Sequence, residues 1–306
     1  MSRFGRTCPF CRAYNANDDT RCTRCDAWLP PEAIARPLRW LRNTENASTL
    51  VLGGVNIAVF ALMLADAMHA GGGAARAMWS IPASTMMRFG AMGWGAEQVE
   101  VGRYLTACFV HLSLMHIGFN MLALADLGRV AEQKVGSLRL VASYLVTGVG
   151  GFVASRLWYG PIGPPTAGAS GAIFGLYGVV IASLAMKRDK EWKGVLFRVV
   201  LSSFVWYFVL RTNQAAHLGG LAVGLGIGAL FELERRPWRR DAALVVFAAL
   251  GLVALLGSFA WAQASPVWRR LRELEEARRS RVSPIVRPIA QPPPAPAPPE
   301  PEPDDP

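Results

Sequence analysis

Charge is scarce in this chain. Only 18% of its 306 residues are Asp, Glu, Lys or Arg, against about 25% in ordinary soluble domains. A length of 306 could hold two soluble domains, but that shortage argues against them. The N-terminus lacks the apolar stretch of a cleaved signal peptide and is instead polar and cysteine-rich. Histidine is rare, with four in all, which leaves few imidazoles for proton transfer or metal binding. The apolar segments show no fixed-period repeat.

Apolar surface is what the chain has in quantity. It is 52% hydrophobic, with a mean hydropathy of +0.25. The apolar residues come in blocks rather than stripes, and crossing a hydrocarbon core takes roughly 20 residues per helix. Seven blocks meet that length: 49–68, 104–126, 138–159, 168–186, 195–211, 215–233 and 242–262. The third has the shortest apolar centre, because Arg139 and Arg156 stand near its ends. One such block could be a buried core helix. Seven in one chain predict an all-α polytopic membrane protein.

The net charge of +10 fits that topology better than it fits nucleic acid, and no nucleic-acid partner is expected. Basic residues cluster in alternate short connections. Arg36, Arg39 and Arg42 precede the first block. Arg129, Lys134 and Arg139 follow the second. Lys187, Arg188, Lys190 and Lys193 follow the fourth, and Arg235, Arg236, Arg239 and Arg240 follow the sixth. The positive-inside rule puts these connections and the N-terminus in the cytoplasm. The stretch 269–287 runs against this pattern, since seven arginines there would lie outside if the seventh block spans.

Residues 1–28 form a first unit. Cys8, Cys11, Cys22 and Cys25 make two C-x-x-C pairs, each offering two thiolates from one turn. Two such turns complete a tetrahedral shell, and four thiolates suit zinc rather than magnesium or calcium. The spacing fits a small zinc-ribbon-like unit with structural zinc. A disulfide pair is disfavoured in a reducing cytoplasm. Cys108 falls in a span and reads as packing. Residues 29–48 are a basic linker and 49–262 the membrane domain. Residues 263–306 are a charged, then Pro-rich tail: 263–281 read as a short surface helix and 284–306 as disordered.

Ionisable and polar residues inside spans are costly, so each is a functional candidate. Ser170 follows Pro161, Pro164 and Pro165, so its helix must begin close to it. A helix start has unpaired N–H groups that could bind an oxyanion. Taken alone, Ser170 reads as a helix cap beside glycine packing. Gly171 and Gly175 make one smooth helix face, and Gly220, Gly224 and Gly228 make another. These faces bring two spans close, with Ser170 and His217 at similar depth. That arrangement allows a Ser–His hydrogen bond. No acidic residue neighbours His217, so a dyad is expected. Phe174, one turn below Ser170, can stack on the imidazole. His116 and Asn120 share one helix face and resemble oxyanion donors. His111 lies about 140° from His116 on a helical wheel, so it points elsewhere and reads as structural. A metal site of His111, His116 and His217 is the competing reading, weakened by that angle and by the lack of a carboxylate.

These motifs, H-x-x-x-x-H-x-x-x-N, G-x-S-G and A-H-x-G-G in that order, resemble the rhomboid family of intramembrane serine proteases. Gly128, Glu132 and Gly136 resemble a further family pattern. The resemblance covers about 49–233 and implies a rhomboid-like six-helix core with the seventh span as an addition. It implies Ser170 as nucleophile, His217 as base, and His116, Asn120 and the Ser170 N–H as oxyanion hole. Gly168, Gly171, Phe174, Gly220 and Arg103 are expected in support. No cofactor is implied for catalysis. The partners implied are the lipid bilayer, here a bacterial inner membrane, and single-span membrane protein substrates. Loop 69–103 is implied to be partly membrane-embedded beside the site. Two departures stand out. Many members carry Trp-Arg before the second span, where this chain has Gly102-Arg103, so the loop needs another anchor. Some carry Tyr where Phe174 stands, which keeps the ring. A catalytically inactive scaffold that uses the zinc unit for recognition is the alternative.

Overall fold

The computed structural model describes residues 5–8, 13–31, 33–36, 40, 44–160, 163, 165–210, 212–233 and 237–282. At the N-terminus two short strands, β1 (Arg6–Thr7) and β2 (Tyr14–Asn15), pair antiparallel, and an isolated bridge joins Arg21 to Trp28. The Cys8 N–H bonds the Ala13 carbonyl and the Cys22 N–H bonds the Ala27 carbonyl, both at 2.8 Å. Cys11, Pro284–Pro306 and much of the basic linker lie outside the described residues.

The rest is helical. Helix α1 (Ala47–Ala67) runs on into a π turn, Met68–Gly72. Short helices α2 (Ala74–Trp79) and α3 (Ala83–Arg88) belong to the long loop that follows, and α4 (Arg103–Thr106) opens the second apolar block. Then come α5 (Leu114–Val135), α6 (Ser137–Tyr159), α7 (Ser170–Met186), α8 (Glu191–Leu210), α9 (Gln214–Leu233), α10 (Pro237–Ala264) and α11 (Pro266–Val282). Length and apolarity qualify α1, α6, α9 and α10 as membrane spans, and the bent pair Arg103–Phe109 with Leu114–Val135 makes a fifth. Helix α7 is apolar but has 17 residues. It can be short because residues 171–176 and 178–184 are buried in protein rather than facing lipid.

The second apolar block is not the single helix expected over 104–126. Its two helical parts meet at 89° across residues 110–113. Ser113 is extended and its hydroxyl accepts the His116 N–H at 3.2 Å, so it caps a new helix instead of continuing the old one. That helix runs on to Val135, where Gly136 at φ 86° stops it.

Two contacts fix the frame. Glu132 receives the Ser48 and Thr49 N–H groups, each at 2.9 Å, and the Thr49 and Ser137 hydroxyls at 2.7 Å. One carboxylate therefore caps α1 and ties it to the α5–α6 corner. Between α7 and α9 the packing is backbone to backbone. A side-chain carbon on Gly220 or Gly224 would overlap the carbonyl of Gly171 or Gly175. Close approach by small residues is how apolar helices associate where water supplies no driving force.

Residues 263–282 do more than form the expected surface helix. Pro266 ends α10 and begins α11, which lies on the loop after α1. Arg272 pairs with Asp66 at 2.6 Å, Ser84 donates to Glu275 at 2.6 Å, and Gln263 holds Arg88 at 2.7 Å. Arg88 and Arg272 stand 4.9 and 5.1 Å from the Trp268 ring centre. Arginines that looked misplaced by charge topology are thus partly spent on specific partners. Helix α10 reaches the loop where a side chain at Gly102 would collide with Ser258. Arg103, 1% exposed, gives Nε to Glu100 at 2.7 Å and Nη1 to the Met87 and Ala91 carbonyls at 2.8 Å.

Candidate active site

Residues 165–169 lead into the protein on a short bridge, with Thr166 and Met92 exchanging backbone bonds of 2.9 and 3.1 Å. Gly168, at φ 136°, makes the final turn and gives its N–H to the Ala107 carbonyl at 2.9 Å. A Cβ there would lie 2.7 Å from His116 Cε1, 2.9 Å from His116 Nε2 and 3.8 Å from Ser170 Oγ. Glycine is therefore needed both for the turn and for the space between these two side chains. Helix α7 then starts at Ser170 itself.

His217 sits one turn into α9 and is 2% exposed. Its Nε2 is 2.9 Å from Ser170 Oγ. The Phe174 ring lies flat against the imidazole, with centres 4.2 Å apart and planes 5° from parallel. Nδ1 of His217 is buried with no hydrogen-bond partner among the described residues. An Nε2 that accepts the serine proton leaves the ring hydrogen on Nδ1. The ring's orientation thus comes from stacking and helix packing rather than from a carboxylate.

His116 and Asn120 are placed differently from one another. Nδ1 of His116 accepts the Leu112 N–H at 3.4 Å, so its Nε2 carries the hydrogen and is a donor on the Gly168 side. His116 lines the cavity with Ser170; Asn120 does not, and its amide bonds the His116 carbonyl at 2.9 Å. His111 departs from the wheel argument, because it precedes the helix cap rather than riding on the helix. Its ring centre is 5.1 Å from that of His116, and its Nε2 accepts the Ala169 N–H at 3.4 Å, one residue before Ser170. Among the described residues, the group with metal-ligand spacing is Cys8, Cys22 and Cys25, with sulfurs within 4.8 Å of one another. Arg103 braces the loop through Glu100, and Gly171 and Gly220 set the approach of α7 to α9.

Sequence reasoning missed Asn213. Its Nδ2 donates to Ser155 Oγ at 2.7 Å and Thr166 Oγ1 at 3.0 Å, and its Oδ1 accepts the Ala216 N–H at 3.0 Å. It caps the helix that carries His217 and ties it to α6 and to the loop before Ser170. An Asn just ahead of an apolar helix is a capping signal that could have pointed to it. A cavity of 320 Å³ opens over these groups, lined by Ser170, His116, Asn213, Glu97, Arg156 and Met92 among others.

Residues 98–233 match the Rhomboid domain family. The chain is 31% identical over 156 residues to Rhomboid protease GluP of Bacillus subtilis, covering 49% of this chain and 30% of that one. It is 34% identical over 148 residues to Rhomboid protease GlpG of Klebsiella pneumoniae, covering 45% and 51%. It is 31% identical over 165 residues to RHOMBOID-like protein 5 of Arabidopsis thaliana, covering 52% of each. The chain thus spans between 30% and about half of the length of these relatives. The family match takes in the helices that carry His116, Ser170 and His217, and over that stretch the chain is similar to rhomboid proteins.

Proposed function

We propose that this chain is an intramembrane serine endopeptidase that cuts single-span membrane proteins near the outer face of the bilayer. The observation that carries the reading is the 2.9 Å approach of His217 Nε2 to Ser170 Oγ at a helix start beside a cavity. Ser170 Oγ attacks the scissile carbonyl carbon while His217 Nε2 takes its proton, then returns it to the departing amine. Water, activated by the same imidazole, releases the acyl group. The oxyanion is met by the Ser170 N–H, by the His116 Nε2–H and by the Asn120 amide after a small turn. A peptide bond inside a helix is shielded, so the substrate must unwind locally. Small or helix-breaking residues near the cut are therefore favoured.

The rest of the organisation follows the same reading. The N-terminus is cytoplasmic in a bacterial inner membrane, and 49–262 form the membrane domain, with α11 docked on its outer loop. Residues 1–28 hold structural zinc. Around a tetrahedral zinc with Zn–S of about 2.3 Å, sulfurs stand about 3.8 Å apart, and Cys8 and Cys25 are 3.8 Å apart. Cys22 fits the same shell, and Cys11 is the fourth ligand proposed.

The test uses purified protein in proteoliposomes with a model single-span substrate. Ser170→Ala and His217→Ala each abolish cleavage, and a fluorophosphonate labels Ser170 in the parent. Cleavage persisting in either variant refutes the dyad. A parent that neither cuts nor labels is the inactive scaffold.

A further inference from the structure

The dyad leaves part of the cavity lining without a role. Glu97 and Arg156 belong to that lining. Glu97 is 3% exposed, and its Oε2 accepts the Gly93 N–H at 3.1 Å. Its Oε1 stands 3.5 Å from Arg156 Nε, the nearest guanidinium nitrogen. The two terminal amino groups of Arg156 therefore lie farther from this carboxylate, and no described residue accepts a hydrogen bond from them. The contrast is Arg103, whose donors go to a carboxylate and two carbonyls in a fully buried setting. Arg156 keeps 24% of its side chain exposed, on a wall shared with the nucleophile.

A cation three residues from the end of α6 suits the helix dipole. The dipole does not explain why a guanidinium is held in the cavity lining with most of its donors unspent. A planar fork of N–H groups in a partly dried site is matched by a carboxylate, which can take two of them at once. The neighbouring Glu97 neutralises Arg156 when the cavity is empty and orients it through Nε.

We propose that Arg156 is a specificity-determining residue that binds an acidic side chain, Asp or Glu, of the substrate segment lying in this cavity. This rests on the protease reading above. The competing role is a latch, in which the Glu97–Arg156 pair only ties the loop to α6.

The experiment replaces one residue at a time, Glu against Gln, on either side of the cut in otherwise identical single-span substrates. Parent protein, Arg156→Gln and Arg156→Lys are assayed in proteoliposomes. At one position the parent cuts the Glu substrate about tenfold faster than the Gln substrate, the order expected of one charge-assisted hydrogen bond. The ratio falls to one in Arg156→Gln and is partly regained in Arg156→Lys. A parent ratio of one at every position, or a ratio that survives in Arg156→Gln, overturns the subsite. A latch slows both substrates alike and leaves the ratio intact, which also overturns it. Fluorophosphonate labelling of Ser170 separates the two claims. Protection by Glu-bearing peptides over Gln-bearing ones reads the subsite even where no bond is cut, while a parent that does not label removes the hydrolase reading and the subsite with it.

Discussion

Gly151→Ala is expected to cripple the site without touching it. Gly151 lies on α6, and a Cβ there would sit 2.6 Å from the Ala216 carbonyl oxygen and 3.4 Å from its carbon. Both neighbours are backbone, so no side chain can rotate away. Ordinary contact begins near 3.4 Å, so the start of α9 must shift by about 0.8 Å. Ala216 is bonded to His217, whose Nε2 is 2.9 Å from Ser170 Oγ. The same shift strains the Asn213 cap, which holds Ser155, Thr166 and the Ala216 N–H together. Misplacing a reacting group by about 1 Å costs on the order of 10²-fold in rate. Cleavage in proteoliposomes and the rate of Ser170 labelling should therefore both fall by about that factor. Gly226→Ala is the control, because it lies on α9 with nothing within 4 Å of the added carbon. It should keep the parent rate and gain about 0.5–1 kcal/mol of helix stability. A Gly151→Ala protein at full activity, or equal damage from both changes, would refute the argument.

Three further outcomes are expected. Phe174→Ala removes a stacked ring worth about 0.5–1.5 kcal/mol, so cleavage drops about tenfold, while Phe174→Tyr stays near the parent rate; equal rates for Ala and Tyr would deny the ring its orienting role. Glu132→Gln loses the charge on a carboxylate that caps α1 and should lower thermal stability by about 1.5–3 kcal/mol while leaving labelling of the folded fraction unchanged. Cys22→Ser should remove bound zinc, read by metal analysis against a parent that carries one equivalent, with the membrane helices unaffected by circular dichroism.

Much of the site could be read from local pattern. The prolines before Ser170 fix a helix start, and the glycine spacing of α7 and α9 predicts a close crossing; both signals are carried by the chain itself. The break at 110–113 was hidden because Val110, Leu112 and Leu114 keep the hydropathy of a continuous span while the chain turns through 89° at the Ser113 cap. That hidden cap is why the wheel placed His111 wrongly. Glu97 and Arg156 acquire their meaning only when α6 and the loop converge, and no spacing in the sequence encodes that meeting. The arginines of α11 read as a topological anomaly for the same reason: Asp66 and Trp268 are distant or unremarkable until the loop folds beneath them.

The stretch that matches the family, 98–233, is not a severable body in this protein. The loop beside the cavity rests on Ser258, Gln263, Ser265 and Glu275. A fragment ended at 233 would keep the dyad and lose the buttress, leaving Glu100, Arg88 and Asp66 each without its partner from the last two helices. Fusions or affinity handles are therefore better placed beyond 282 than after the sixth span, because the last two helices form one wall of the working part rather than an appendage to it.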